Sequence, residues 1–261
     1  MTAVATPTVA VLPVDSLLGK AYAGKIGQTV VDFFGNRNVY GDVVQDMFIT
    51  ADPNAETQQY VVIRQLNGVE EQYIIEPLNY TDGVITVGDY RYQTLADGTL
   101  SLQPMTQNNE ERKGVLKQTS ADGIMRMAYN HGKHLSGMSI QTDEDKRNAR
   151  LLLGVASDNN IDDAREFFVT FNTRLAEKGD LKAMRCLYHI AMNAKNYADA
   201  HKYIDSLIAL DANKPELMAD KGMIYIQQGK MSDAKKIWKK LKKSAADFVS
   251  NSEHPFCKAM R

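Results

Sequence analysis

The sequence predicts an α+β fold in two parts: an N-terminal antiparallel β-rich domain, then a C-terminal α-helical repeat domain. Three observations predict it. Turn dipeptides separate short, alternating apolar runs over the first hundred residues. No strong strand pattern survives beyond about residue 143. Two consecutive 34-residue windows, 181–214 and 215–248, overlay without a gap. The expected boundaries are a β-rich domain over 1–105, a linker and short helix over 106–142, and helical repeats over 143–261.

The β elements can be justified in order. "DSLLGKAYAGKIG" reads as a short helix capped by Asp15 or Ser16, and "QTVVDFF" and "DVVQDMFIT" as two strands. "TQQYVVIRQLNGVEEQYIIEPL" holds two strand-like runs joined by Asn67-Gly68, a strong hairpin signal. The meander continues through turns at Asp82-Gly83, Gly88-Asp89 and Asp97-Gly98, with Val84, Tyr90, Tyr92, Leu100 and Leu102 expected on one buried face. Residues 104–120 are polar without a clear period and read as a linker.

The helical elements follow. "ADGIMRMAYNHGKHL" is a short amphipathic stretch. Thr142 and Asp145 are spaced as a capping box that opens the helical half. In the overlaid windows Ala200 falls on Ala234, Ile204 on Trp238 and Leu207 on Leu241. Gly222, Tyr225 and Gly229 mark a small residue, an aromatic residue and a turn glycine in the last window. Tyr188 and Ala191 exchange large for small in the window before it, and Lys221 stands where an apolar residue is usual. A third unit is visible in "DNNIDDAREFFVTF", with Ala164, Phe168 and Phe171, its alanine 36 residues before Ala200.

This pattern resembles the tetratricopeptide repeat, a helix–turn–helix unit with a 34-residue period. The resemblance covers about residues 147–248. It implies stacked units whose first helices line a concave binding surface. At those positions stand Lys182, Arg185, His189, Met192 and Asn193, then Glu216, Ala219, Met223, Ile226 and Gln227. Some family members clamp a carboxylate with Lys and Asn. His189 and Met223 replace the asparagines here, so that clamp is not expected.

Composition bounds the function. The chain has 261 residues, 44% apolar and 24% charged, with net charge −1, so nothing global points to nucleic acid. Residues 1–105 carry a balance of −7 and residues 106–261 one of +6. Two cysteines, Cys186 and Cys257, argue against a disulfide framework and favour a reducing compartment. No apolar run is long enough to span a membrane, and the N-terminus lacks the basic segment of a secretory signal, although a removed signal would leave secretion open.

Other motifs have bland readings. The six lysines of "KKIWKKLKKSAADF" fit a solvated helix face better than a lipid or nucleic-acid site. His131 and His134 are a histidine pair without a third ligand, and His254 with Cys257 lies in a tail expected to fray. No nucleotide-binding, metalloprotease or nucleophile-elbow motif occurs, so no catalytic residue, cofactor or metal is expected. The reading is a non-enzymatic adaptor, assembly factor or scaffold with a protein or peptide partner of acidic character. The alternatives are a homo-oligomeric structural subunit, as in a viral particle or envelope machine, and a hydrolase with its site in the β-rich domain. The groove could also be covered by the chain's own acidic half.

Overall fold

The computed structural model describes residues 8–31, 37–52, 55–107, 110–211 and 213–261. The chain divides into two compact units, Met1–Arg165 and Glu166–Arg261.

The first unit begins with a 3-10 turn at Val14–Ser16. Among the described residues nine strands follow: β1 (Ala21–Val31), β2 (Arg37–Asp52), β3 (Ala55–Asn67), β4 (Glu70–Pro77), β5 (Asn79–Thr81), β6 (Val84–Val87), β7 (Tyr90–Thr94), β8 (Leu100–Gln107) and β9 (Glu110–Thr119). They form one antiparallel sheet in the order β4-β3-β2-β1-β9-β8-β7-β6-β5. Two meanders, β1 to β4 and β5 to β9, are thus joined where β1 pairs with β9. The sheet curls until β4 approaches β6, and the Gly88 N–H donates to Glu76 Oε2 at 2.8 Å.

The inner face of this curl is the first core. Tyr22 and Ile26 of β1, Met47 and Ile49 of β2, Val61 and Ile63 of β3, Ile85, Val87, Tyr90 and Tyr92, and Leu100, Leu102 and Leu116 are buried there. Each strand contributes alternate residues, as a pleated strand must. Val84 is the exception to the expected list: it is only half buried, and its neighbours Ile85 and Val87 take the inner face.

The outer face carries buried Phe48, Val62 and Ile75. Two helices of this unit, α1 (Ala121–Gly137) and α2 (Asp143–Asp158), pack on each other and against β2. They approach closely because position 132 is glycine: a Cβ there would lie 3.0 Å from Leu152 Cβ. The capping box forms, with Asp145 N–H donating to Thr142 Oγ1 at 3.0 Å and Thr142 N–H to Asp145 Oδ2 at 2.8 Å.

Three expectations need correction. The "DSLLGKAYAGKIG" segment is not a helix. It turns at Gly19, which has a φ of 73°, and enters β1 at Ala21. The hairpin turn sits one residue later than expected, because Asn67 pairs with Glu70 and leaves Gly68 and Val69 in the turn. The strand expected at "QTVVDFF" is present in β1 as far as Val31, and the rest of that segment falls outside the described residues. The polar segment 104–120 is not a linker but most of β8 and β9. Its period is hidden because the inward positions are Arg112, Gly114 and Leu116, of which one alone is apolar and bulky.

The second unit contains α3 (Ala164–Glu177) from Glu166 onward, then α4 (Leu181–Asn193), α5 (Tyr197–Leu210), α6 (Pro215–Gln227), α7 (Met231–Ser244), α8 (Ala246–Asn251) and α9 (Pro255–Met260). Neighbours pack in sequence, α4 with α5, α5 with α6, and α6 with α7. Met184, Tyr188, Ala191, Ala200, Ile204, Leu207, Leu217 and Ile224 form one cluster. Ala219, Ala234, Leu241, Val249 and Phe256 form the next. The division at residue 165 places α2, the expected first helix of the upstream repeat, with the β-rich unit.

Candidate partner-binding surface

The helices that carry the predicted site are set by local signals. Asp180 caps α4 by accepting from Ala183 N–H at 2.8 Å, Asn196 caps α5, and Pro215 opens α6 from the first turn. The turns after α4 and α6 use equivalent positions 34 residues apart: Lys195 with φ 55° and Gly229 with φ 72°. Ala200 and Ala234 are fully buried at the start of the second helices. Lys221, the departure from the pattern, is half buried and its Nζ pairs with Asp205 of α5 at 2.7 Å. A long stem can line an apolar seam while its charge finds a partner at the edge.

The first helices α4 and α6 present the predicted residues unevenly. Lys182, Asn193, Glu216 and Gln227 are exposed. Arg185 and His189 are half buried, and the His189 ring meets the Tyr188 ring edge at 5.1 Å. Met192 is partly buried against the α4–α5 cluster, and Met223 and Ile226 against the last one. Ala219 is fully buried and lines no surface. The first helices thus carry exposed polar residues beside two methionines and an isoleucine that are partly buried in two different clusters.

One group at this face escaped the sequence reading. Asp220 of α6 is buried, with 7% of its surface exposed. Its Oδ2 accepts from Arg185 Nη2 at 3.3 Å and its Oδ1 lies 3.1 Å from His254 Nε2. Its backbone carbonyl accepts from the Tyr188 hydroxyl at 3.3 Å. Burial raises the Tyr188 pKa, with Asp220 adding to it. Arg185 therefore already has a carboxylate partner within the unit. Leu217, Asp220 and Ile224 share the buried stripe of α6, a spacing that could have flagged Asp220 as a polar group facing inward.

The end of the unit is closed by α8 and α9. The Phe256 ring occupies the space over Gly222, where a Cβ would overlap it, and meets Trp238 edge-on at 6.0 Å. Phe256 and Cys257 are fully buried, and burial pushes the Cys257 thiol up. The tail is thus a docked cap, not the fraying end that was expected. Tyr188, Gly222 and Phe256 are 34 residues apart, so the cap keeps the repeat register. On α7 all six lysines of the basic run are exposed, while Leu241 is buried and Ile237 and Trp238 are half buried, which is a solvated face over a packed stripe. No cluster of three metal-ligating side chains occurs among the described residues.

A tetratricopeptide repeat family model matches residues 191–251, which span the end of α4, then α5 to α8. The match lies wholly in the second unit, and no family model matches the β-rich half. No curated protein matches the chain.

Proposed function

We propose that this chain is a non-enzymatic adaptor, assembly factor or scaffold that holds an acidic protein or peptide segment on the first-helix face of its repeats. The observation that carries the reading is the tetratricopeptide repeat match over 191–251, since units of this kind act through protein–protein contacts. The composition of the face supports the rest. Lys182 offers an exposed cation, and Asn193 and Gln227 offer amides. Between them Met192, Met223 and Ile226 give apolar area near the polar groups, the mixture found in peptide-binding grooves. Arg185 contributes less than its charge suggests, because an incoming carboxylate must compete with Asp220.

The test is positional cross-linking in the source cell. A photoreactive residue placed at 182 or 227 should capture a discrete partner, and one placed at Lys239, on the exposed face of α7, should not. Capture from 239 alone would move the site to the second-helix face. Absence of capture from all three positions, with the chain folded, would remove the adaptor reading.

A further inference from the structure

The near-neutral total of the chain hides a local concentration of charge. Residues 230–244, which are α7 and the residue before it, hold seven lysines and one aspartate, a balance of +6. Residues 106–261 have that same balance as a whole, so the rest of the helical half is neutral. All seven lysines are exposed. Lys236 pairs with Asp233 at 2.8 Å, and the other six have no carboxylate partner among the described residues. On α2, by contrast, Lys146 pairs with Asp143 and Arg147 with Glu144.

The lysines of α7 form one face. At 3.6 residues per turn, Lys235, Lys236, Lys239, Lys240, Lys242 and Lys243 lie within an arc of about 160°, opposite the buried Ala234 and Leu241. They recur three and four residues apart, where like charges repel and destabilise a helix. A helix that leaves this repulsion unanswered presents a strong positive field to an anion.

The shape and make-up of the face select among anions. It has little to anchor a protein: the exposed apolar area of α7 is limited to Met231 at its first position, and Trp238 is taken up by Phe256 and Lys242. Lysine is itself depleted in protein interfaces. An anionic membrane is flat and would meet only the middle of so wide an arc, and the apolar stripe that would enter it is packed into the fold. The phosphates of a duplex need no apolar anchor, because binding is driven by counterion release, and the walls of a groove reach round a convex helix.

We propose that the lysine face of α7 binds the phosphate backbone of double-stranded DNA without regard to sequence. α7 has no arginine, asparagine or glutamine to fork onto a base edge, so its contacts stay with the phosphates. These lysines are on a second helix and none belongs to the first-helix face, so the two surfaces can be tested separately.

The experiment is fluorescence anisotropy of a labelled DNA duplex of about 20 base pairs, titrated with the full chain from about 50 to about 200 mM NaCl. Two duplexes of unrelated sequence should bind alike, with log affinity falling on log salt at a slope of about −4 to −5. Lys235→Gln, Lys239→Gln, Lys240→Gln and Lys243→Gln together should make the slope shallower by about 3 to 4 and weaken binding at least about tenfold at the lower salt. That chain should melt no lower than the parent, because the substitutions remove repulsion. Should it misfold, Lys239→Gln with Lys243→Gln should take about 2 off the slope. Glutamine at the exposed Lys113, Lys117, Lys178 and Lys195 makes the same change in net charge elsewhere and should leave binding near that of the parent. The proposal is overturned if the parent chain does not bind the duplex, or if the scattered variant loses as much as the α7 variant. It is also overturned if poly-glutamate, or phosphatidylcholine vesicles with about 25% phosphatidylserine, bind the parent chain more tightly than the duplex at the same salt.

Discussion

At the residue scale, two side chains hold positions their chemistry disfavours. Lys195 adopts a left-handed conformation at the turn where the next unit has Gly229. A residue with a Cβ spends about 1–2 kcal/mol there. Lys195→Gly should therefore stabilise the chain by up to about 1 kcal/mol, after the greater unfolded-state freedom of glycine is subtracted. Urea denaturation of the two chains would show it as a higher midpoint at equal slope.

His131 of α1 is the second case. Its ring stacks on Tyr73 at 4.0 Å, and burial, then the neighbouring His134, lower its pKa from 6.5, against weaker opposition from Glu71 and Asp145. The folded state thus takes up this proton at lower pH than the unfolded state does. Stability is fully present above about 6.5 and falls as pH drops from there through the lowered value. Melting followed from pH 7.5 to 5 should show this loss, and His131→Phe, which keeps the stacking, should flatten it. The carboxylates with lowered pKa, such as Asp97 and Asp163, start from 3.8 and act below this window. An unchanged slope in His131→Phe would assign the dependence elsewhere.

At the element scale, the C-terminal cap makes the sharpest demand. Gly222 and Phe256 fit as hole and knob, so Gly222→Ala must displace a fully buried ring. Overpacking of this kind costs about 1–3 kcal/mol, and Phe256→Ala, which opens a cavity, about 3–5 kcal/mol. The two should not add: Gly222→Ala should cost far less in the Phe256→Ala background. Additive losses in a double-mutant cycle would mean that the cap is not seated on Gly222.

The elements also show what could be read in advance. The hairpins were legible because Asp82-Gly83 and its relatives need conformations that few residues adopt, and the last two repeats because Ala200 and Ala234 must be small where helices cross. β9 was not, because an inward arginine and glycine erase its alternation, whereas the start of β8 was, through Leu100 and Leu102. The cap was not, because Phe256 looks like an isolated aromatic until Gly222 is seen beneath it. Within the candidate face, the exposed ends Lys182, Asn193 and Gln227 were legible from the register alone. The burial of Asp220 was legible only in its spacing from Leu217 and Ile224, since one carboxylate in a helix otherwise reads as a surface residue.

At the scale of the whole molecule, the chain joins a β-rich unit to a helical unit that carries the tetratricopeptide repeat match. No described helix is long and apolar enough to cross a membrane. The repeat unit keeps its register into the cap, which closes the apolar end of the stack as terminal units of such arrays do. The central claim is that the first-helix face holds the partner. The most direct measurement is the affinity for the cross-linked partner of a chain carrying Lys182→Glu, Asn193→Ala and Gln227→Ala. These three side chains are exposed and outside the Asp220 network, so folding should change by no more than about 0.5 kcal/mol per site. Losing one charge-assisted contact alone removes about 1.5–3 kcal/mol of binding. The account predicts a melting temperature close to that of the parent chain and affinity at least about tenfold weaker. Parent-like affinity in a folded triple variant would contradict it.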